Sequence, residues 1–183
     1  MKTRYKTRRP KCDLSGTASC VAFNLRRTAR AVTNLYDSAL QPSGVRSTQF
    51  AILVAVAKSQ PVSIGRLAQL LLVDRTTLTR SLALMEKEGL LNVSERSIMR
   101  QRFVTLTGQG GRSLIRSVPL WRKAQRRYLA SIGEGSWRRL QRELERLAKA
   151  VLRLEQSRAS RDGVSDLCVA SIENAAKASV NTE

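Results

Sequence analysis

The sequence predicts a mainly α-helical chain with one small β-hairpin, and three observations lead there. Over most of its 183 residues, apolar side chains recur at alternating spacings of three and four, the period of a helix face. Between Leu90 and Leu106 that period gives way to two short runs rich in β-formers around a basic loop. Two short helices separated by the Leu72-Val73 turn come directly before that hairpin. Helix, helix, hairpin is the order of a winged helix-turn-helix with a β-hairpin wing, and the long helical stretches on either side predict a helical dimerisation domain.

Residues 1–17 are basic, then rich in Ser, Gly and Thr, with Pro10 as a breaker, and predict a flexible N-terminal arm. From Ala18, the residues Ala22, Leu25, Ala29, Val32, Tyr36 and Ala39 form the stripe of a helix packing against another helix, ending near Gln41-Pro42-Ser43-Gly44. This first helix, within residues 18–46, is assigned to the dimerisation domain. A second helix is expected to open with Ser47 as N-cap, to turn Phe50, Leu53, Val54 and Ala57 inward, and to stop before Ser59-Gln60-Pro61.

Ser63 can cap a third helix that buries Ile64, Leu67, Ala68 and Leu71. Asp74 can cap a fourth, accepting from the free amides near Thr76 and Thr77 while its charge suits the positive helix end. Gly89 stops that helix, and strands are expected at Leu90 to Ser94 and Arg102 to Leu106. After Thr107 a long helix carries Leu114, Val118, Trp121, Tyr128 and Ile132 on one side until Gly133-Glu134-Gly135 breaks it. A last helix from Ser136 carries Trp137, Leu140, Leu144, Leu147, Val151 and Leu154 in strict three-four alternation. Residues 47–106 thus form the winged unit, residues 107–156 the C-terminal dimerisation helices, and residues 157–183 a disordered or weakly helical tail.

Charge indicates the partner. Lys and Arg number 33 against 14 Asp and Glu, a formal net charge of +19, which attracts a polyanion at long range. Nucleic acid is the leading class. The longest apolar runs, such as Phe50 to Ala57, fall far below the roughly 20 residues of a membrane span. No secretory-type apolar run follows the basic residues of Met1 to Lys11, so a cytoplasmic location is expected. Histidine is absent, which removes the usual general base, proton shuttle and commonest metal ligand together. Neither an enzyme nor a metal or cofactor site is expected. Cys12, Cys20 and Cys168 have neither the CxxC spacing of a zinc site nor the even count of a disulfide framework. Cys20 is open to two readings, a small buried side chain or a redox-sensing thiol.

On the fourth helix Leu78, Leu82 and Met85 share one narrow arc, which fixes the opposite arc as Thr76, Thr79, Arg80, Ala83 and Lys87, with Arg75 and Thr77 at its margins. An arginine on a recognition helix can grip guanine through two parallel hydrogen bonds, and threonines can contact phosphates or the thymine methyl. Arg96, Arg100 and Arg102 make the hairpin loop a second basic element, with Arg100 placed to enter a narrow minor groove. The competing reading of that loop is a charge run that keeps an exposed hairpin soluble. The candidate DNA contacts are Ser63, Arg75, Thr76, Thr77, Thr79, Arg80, Lys87, Arg96, Arg100 and Arg102. The candidate dimer seam is Leu25, Val32, Tyr36, Trp121, Trp137, Leu140, Leu144, Leu147, Val151 and Leu154.

Several segments, in order, resemble the MarR family of transcription regulators. They are Leu40 to Val45 with Thr48-Gln49-Phe50, Leu67 to Leu71, Arg75 to Arg80, Met85 to Leu91, and Val104 to Gly110, which together span about residues 20 to 155. The resemblance implies a dimer of winged lobes on a helical domain built from both chain ends. It aligns Arg100 with the family's wing arginine, while Ile98 stands where the family usually has an aspartate. It also implies a small aromatic ligand between the dimerisation and DNA-binding regions. Cys20 lies near the reactive cysteine of hydroperoxide-sensing members, although Ala22 is nearer the match. The expected function is a homodimeric, sequence-specific regulator of double-stranded DNA, a repressor by default and responsive to ligand or oxidant. The alternative is a basic protein that coats nucleoid DNA or RNA without sequence preference.

Overall fold

The computed structural model describes residues 13–96 and 101–161. Helix α1 (Val21–Leu40) begins later than the stripe from Ala18 suggested. Thr17–Ser19 form a separate 3-10 turn after Gly16, which takes the left-handed φ of 78° that glycine alone adopts freely. The Asn24 side chain donates to the carbonyls of Ala18 and Cys20 at 2.8 and 3.0 Å, holding the turn against the helix. Pro42 opens a second short turn, Gln41–Ser43, which ends α1.

Helix α2 (Ser47–Ser59) starts with Ser47 as its first helical residue rather than its N-cap. Arg46 holds the N-cap position instead: Gln49 accepts the Arg46 amide at 3.0 Å, and Asp37 accepts the Ser47 amide, one of the donors a helix start leaves free, at 2.6 Å. Phe50, Ile52, Leu53 and Val56 are buried and Val54 is half-buried, whereas Ala57, expected inside, is exposed. A single stripe fails here because α2 is enclosed on several sides, by α1, by the later α3 (Ile64–Leu71) and α5 (Gly108–Ile132), and by the hairpin.

Strand β1 (Val62–Ser63) pairs antiparallel with β3 (Gln101–Leu106), Val62 facing Val104. Strand β2 (Leu91–Arg96) lies on the other side of β3, in register from Leu91 with Leu106 to Arg96 with Gln101, giving the order β1-β3-β2. Both hairpin strands reach further toward the tip than Ser94 and Arg102. β1 is too short to show an alternation in the sequence. Between the helix-turn-helix pair, α3 and α4 (Arg75–Lys87), Leu72 is held at φ 50° with 54% of its surface exposed, a backbone conformation that costs a leucine about 1–2 kcal/mol.

α5 runs through Pro119, which lies on its exposed side, where the missing N–H removes one helix bond without burying an unpaired group. α6 (Glu134–Arg161) continues past Gln156, the boundary expected for the tail; no glycine or proline follows Gly135 within it, and the Ser157 hydroxyl donates to the Arg153 carbonyl at 2.9 Å. The core belongs to the winged unit and its supports: Leu40, Leu53, Leu67, Leu78, Leu82, Met85, Leu91 and Val104 are essentially inaccessible to solvent. By contrast, every residue from Val21 to Ala31 of α1 is exposed in the single chain. No helix among the described residues is long and apolar enough to cross a membrane.

Candidate nucleic-acid interface

Asp74 begins the site. Its carboxylate accepts the amides of Thr76 and Thr77 at 2.9 and 3.0 Å, satisfying donors that the helix itself leaves free. These bonds, that from Thr77 foremost, hold the Asp74 carboxyl below its ordinary value. Leu78, Leu82 and Met85, each 1% exposed, then fix the rotation of α4. The consequence is an outward face of Arg75, Thr76, Thr77, Arg80, Ala83 and Lys87, all exposed, with Thr79 half-buried. The Thr79 hydroxyl donates to the Arg75 carbonyl at 2.7 Å, which leaves its methyl group as the part free for contact. Arg80 forms no ion pair among the described residues, so its guanidinium donors face water.

The far end of α4 is tied down by residues that sequence reasoning missed. Glu86 accepts the Val93 amide at 2.9 Å, joining α4 to β2. Gln49 donates to the Glu88 carboxylate at 2.7 Å and Gln109 to the Glu88 carbonyl at 3.1 Å, clamping the helix end between α2 and α5. Such long-range polar pairs have no periodic signal.

The other candidates separate. Ser63 is half-buried in β1, and its hydroxyl accepts the Arg66 amide at 3.2 Å as the cap of α3, so its hydrogen-bonding capacity is partly used within the fold. Arg102 is exposed on β3 opposite Glu95, and Arg96 stands in β2 opposite Gln101. Arg100 and Ile98 lie outside the described residues, as do Cys12 and Cys168. Cys20 is an exposed free thiol at the α1 N-cap rather than a buried side chain; none of the described residues covers it, because the buried core lies toward the other end of α1. Among the described residues no three potential ligands gather into a metal site.

The expected seam divides in two. Leu25, Leu140, Leu144, Leu147, Val151 and Leu154 are exposed, by 38 to 68%, although they are large and apolar. Trp137, Val32 and Tyr36 are half-buried. Trp121 instead stacks on Phe50 within the chain, ring centres 5.9 Å apart and planes inclined by 26°. These two rings wall a cavity of about 920 Å³, also lined by Tyr36, Val54, Lys58 and Arg122. The Tyr36 hydroxyl donates to Gln125 of α5, and burial, with a smaller effect of Tyr128, raises that hydroxyl above its ordinary pKa and keeps it a neutral donor.

A capped helix presenting arginine and threonine, preceded by a short partner helix and followed by a hairpin, defines the chain as a winged helix-turn-helix protein. A model of the MarR family matches residues 43–98. The chain is similar to the transcriptional regulator MosR of M. tuberculosis in complex with DNA, with 37% identity over 74% of this chain and 98% of that one, and a TM-score of 0.69. It matches MosR in a second structure with 36% identity over 73% and 96% of the two chains, and a TM-score of 0.64. CouR from Rhodococcus jostii RHA1, bound to p-coumaroyl-CoA, shares the fold at 20% identity, covering 73% and 95%, with a TM-score of 0.60. A search of curated proteins found no match. The chain belongs to the MarR family of transcriptional regulators.

Proposed function

We propose that the protein is a homodimeric repressor that reads a pseudo-palindromic operator in double-stranded DNA through α4 and releases it in response to a small aromatic ligand or an oxidant. The observation that carries this reading is the exposed face of α4, where Arg80 and the Thr79 methyl project from a helix locked by Leu78, Leu82 and Met85. Recognition helices read base edges from such a face, with half-sites about one helical turn, roughly 10 to 10.5 base pairs, apart in a dimer. Arg75, Thr76, Thr77, Lys87 and Arg102 flank it, and Arg96 and Arg100 of the wing complete the set of contacts. The division into a DNA-binding unit at 47–106, dimerisation segments at 18–46 and 107–156, and an arm at 1–17 is part of the proposal, as is action in the cytoplasm without catalysis.

The exposed leucines of α6 support the dimer. A leucine side chain gains about 1.5–3 kcal/mol on full burial, so several together offset the cost of association, on the order of 4–15 kcal/mol. The cavity beside Phe50 and Trp121 supports the ligand: its aromatic wall suits a ring, and Lys58 and Arg122 suit an acid group. The exposed thiol of Cys20 supports the oxidant.

The test is selection of binding sites from random duplex DNA under reducing conditions at near-physiological salt. An enriched two-fold symmetric site is expected. Tight binding with no enrichment overturns the reading in favour of a sequence-blind nucleoid or RNA coat, which the +19 charge would also drive.

A further inference from the structure

The hydroxyl donors of α4 are spent inside the protein. That of Thr79 donates to the Arg75 carbonyl at 2.7 Å and that of Ser81 to the Thr77 carbonyl at 3.1 Å. Asp74, whose carboxyl is held low first by the Thr77 amide, also draws the hydroxyls of Thr77 and Thr76. A threonine that turns its hydroxyl back to its own helix leaves its methyl as the group free to meet a ligand. Ala83, which is exposed one turn after Thr79, adds a second methyl. With about 100° per residue, Thr76, Thr79, Ala83 and Arg80 fall within an arc of about 100°. Residues three or four apart on such a face have Cβ atoms about 5–6 Å from each other, which is one to two base steps at about 3.4 Å each.

What α4 lacks narrows the reading further. Its 13 residues include no asparagine, glutamine or aspartate, and its carboxylate, Glu86, accepts the Val93 amide of β2 at 2.9 Å. In the major groove an amide side chain is the usual reader of adenine and a carboxylate the usual reader of the cytosine amino group. Arginine takes the paired acceptors of guanine, and an apolar group takes the methyl of thymine. The face of α4 is equipped for the last two, and its methyls lie beside Arg80.

We propose that Thr79 is a specificity-determining residue: its methyl, with that of Ala83 beside it, reads the 5-methyl group of a thymine within two base steps of the guanine gripped by Arg80. This inference rests on the reading of α4 as a base-reading helix. It assigns Thr79 to sequence preference through apolar contact, with its hydroxyl serving only the helix.

The test uses the full chain and the operator selected from random duplex DNA. Each thymine is replaced in turn by deoxyuridine, which pairs identically and lacks only the 5-methyl group. At one position per half-site, within two base steps of the position where Arg80→Ala loses discrimination, affinity should fall about four-fold, the worth of one buried methyl-sized group. In Thr79→Ser, which keeps the hydroxyl and loses the methyl, the same replacement should cost less than about two-fold. Thr79→Val, which keeps the methyl and lacks the hydroxyl, should restore the response, and circular dichroism checks that both variants remain helical. Deoxyuridine without effect at every position, or a response undiminished in Thr79→Ser, overturns the inference while leaving the Arg80 reading standing. Loss of the response in Thr79→Val as well makes the hydroxyl the contact and overturns it too. Discrimination left intact at all positions by Arg80→Ala removes the α4 reading, and this inference with it.

Discussion

A Cβ added at Gly110 would stand 2.0 Å from the Leu90 carbonyl oxygen, so the base of the wing and the first turn of α5 meet backbone to backbone. That contact sets where the reading head sits relative to the long helices. Gly110→Ala should therefore destabilise the fold by about 1–3 kcal/mol, since neither partner is a side chain that can turn aside. Chemical denaturation measures it, and an unchanged midpoint would show that the junction is looser than described.

Asp74 links the start of α4 to pH. Its carboxyl is held below the ordinary value by the Thr77 and Thr76 amides, so its charged form favours the folded state. That contribution is complete above the ordinary carboxylate range and is lost as pH falls through the lowered value. Asp74→Asn keeps a capping oxygen and does not titrate. The stability difference between the two proteins should be constant at neutral pH and shrink in acid, which denaturation at a series of pH values would record. A difference that grows in acid would contradict the capping role.

Leu144 and Leu147 are 38% and 39% exposed in the single chain, so charges at these positions should leave the monomer folded. Leu144→Glu with Leu147→Glu should give a monomer in sedimentation with unaltered helix content and lost operator affinity. A persistent dimer would place the interface elsewhere.

The cavity can be tested through Trp121, which forms its wall. In a Trp137→Phe background, benzoate should quench the remaining fluorescence, and Lys58→Ala should weaken that binding about ten-fold, the loss of one charge-assisted hydrogen bond. Quenching indifferent to Lys58 would leave the acid group unaccounted for.

The reading head was legible in the sequence because each of its determinants is local. Asp74 precedes the amides it caps, and Leu78, Leu82 and Met85 define the arc that excludes Arg80 from the core. The same logic failed at α2, where Asp37, ten residues before Ser47 in the chain, accepts the Ser47 amide and where packing on several sides exposed Ala57. The stripes that carry Tyr36 and Trp121 show that a face is apolar and not which surface covers it. The partner of Trp121 is Phe50, on another helix. β1 escaped notice because a two-residue strand is defined only by its pairing with β3.

The central claim is that α4 reads bases through Arg80. Its most direct test compares the unmodified protein and Arg80→Ala on the selected operator and on a set of single-base-pair variants of it. Affinity for the operator should fall by about 1–3 kcal/mol, and discrimination should disappear at one position in each half-site while persisting at the others. An equal loss on every sequence, with discrimination intact at all positions, would make Arg80 a phosphate contact and contradict the account.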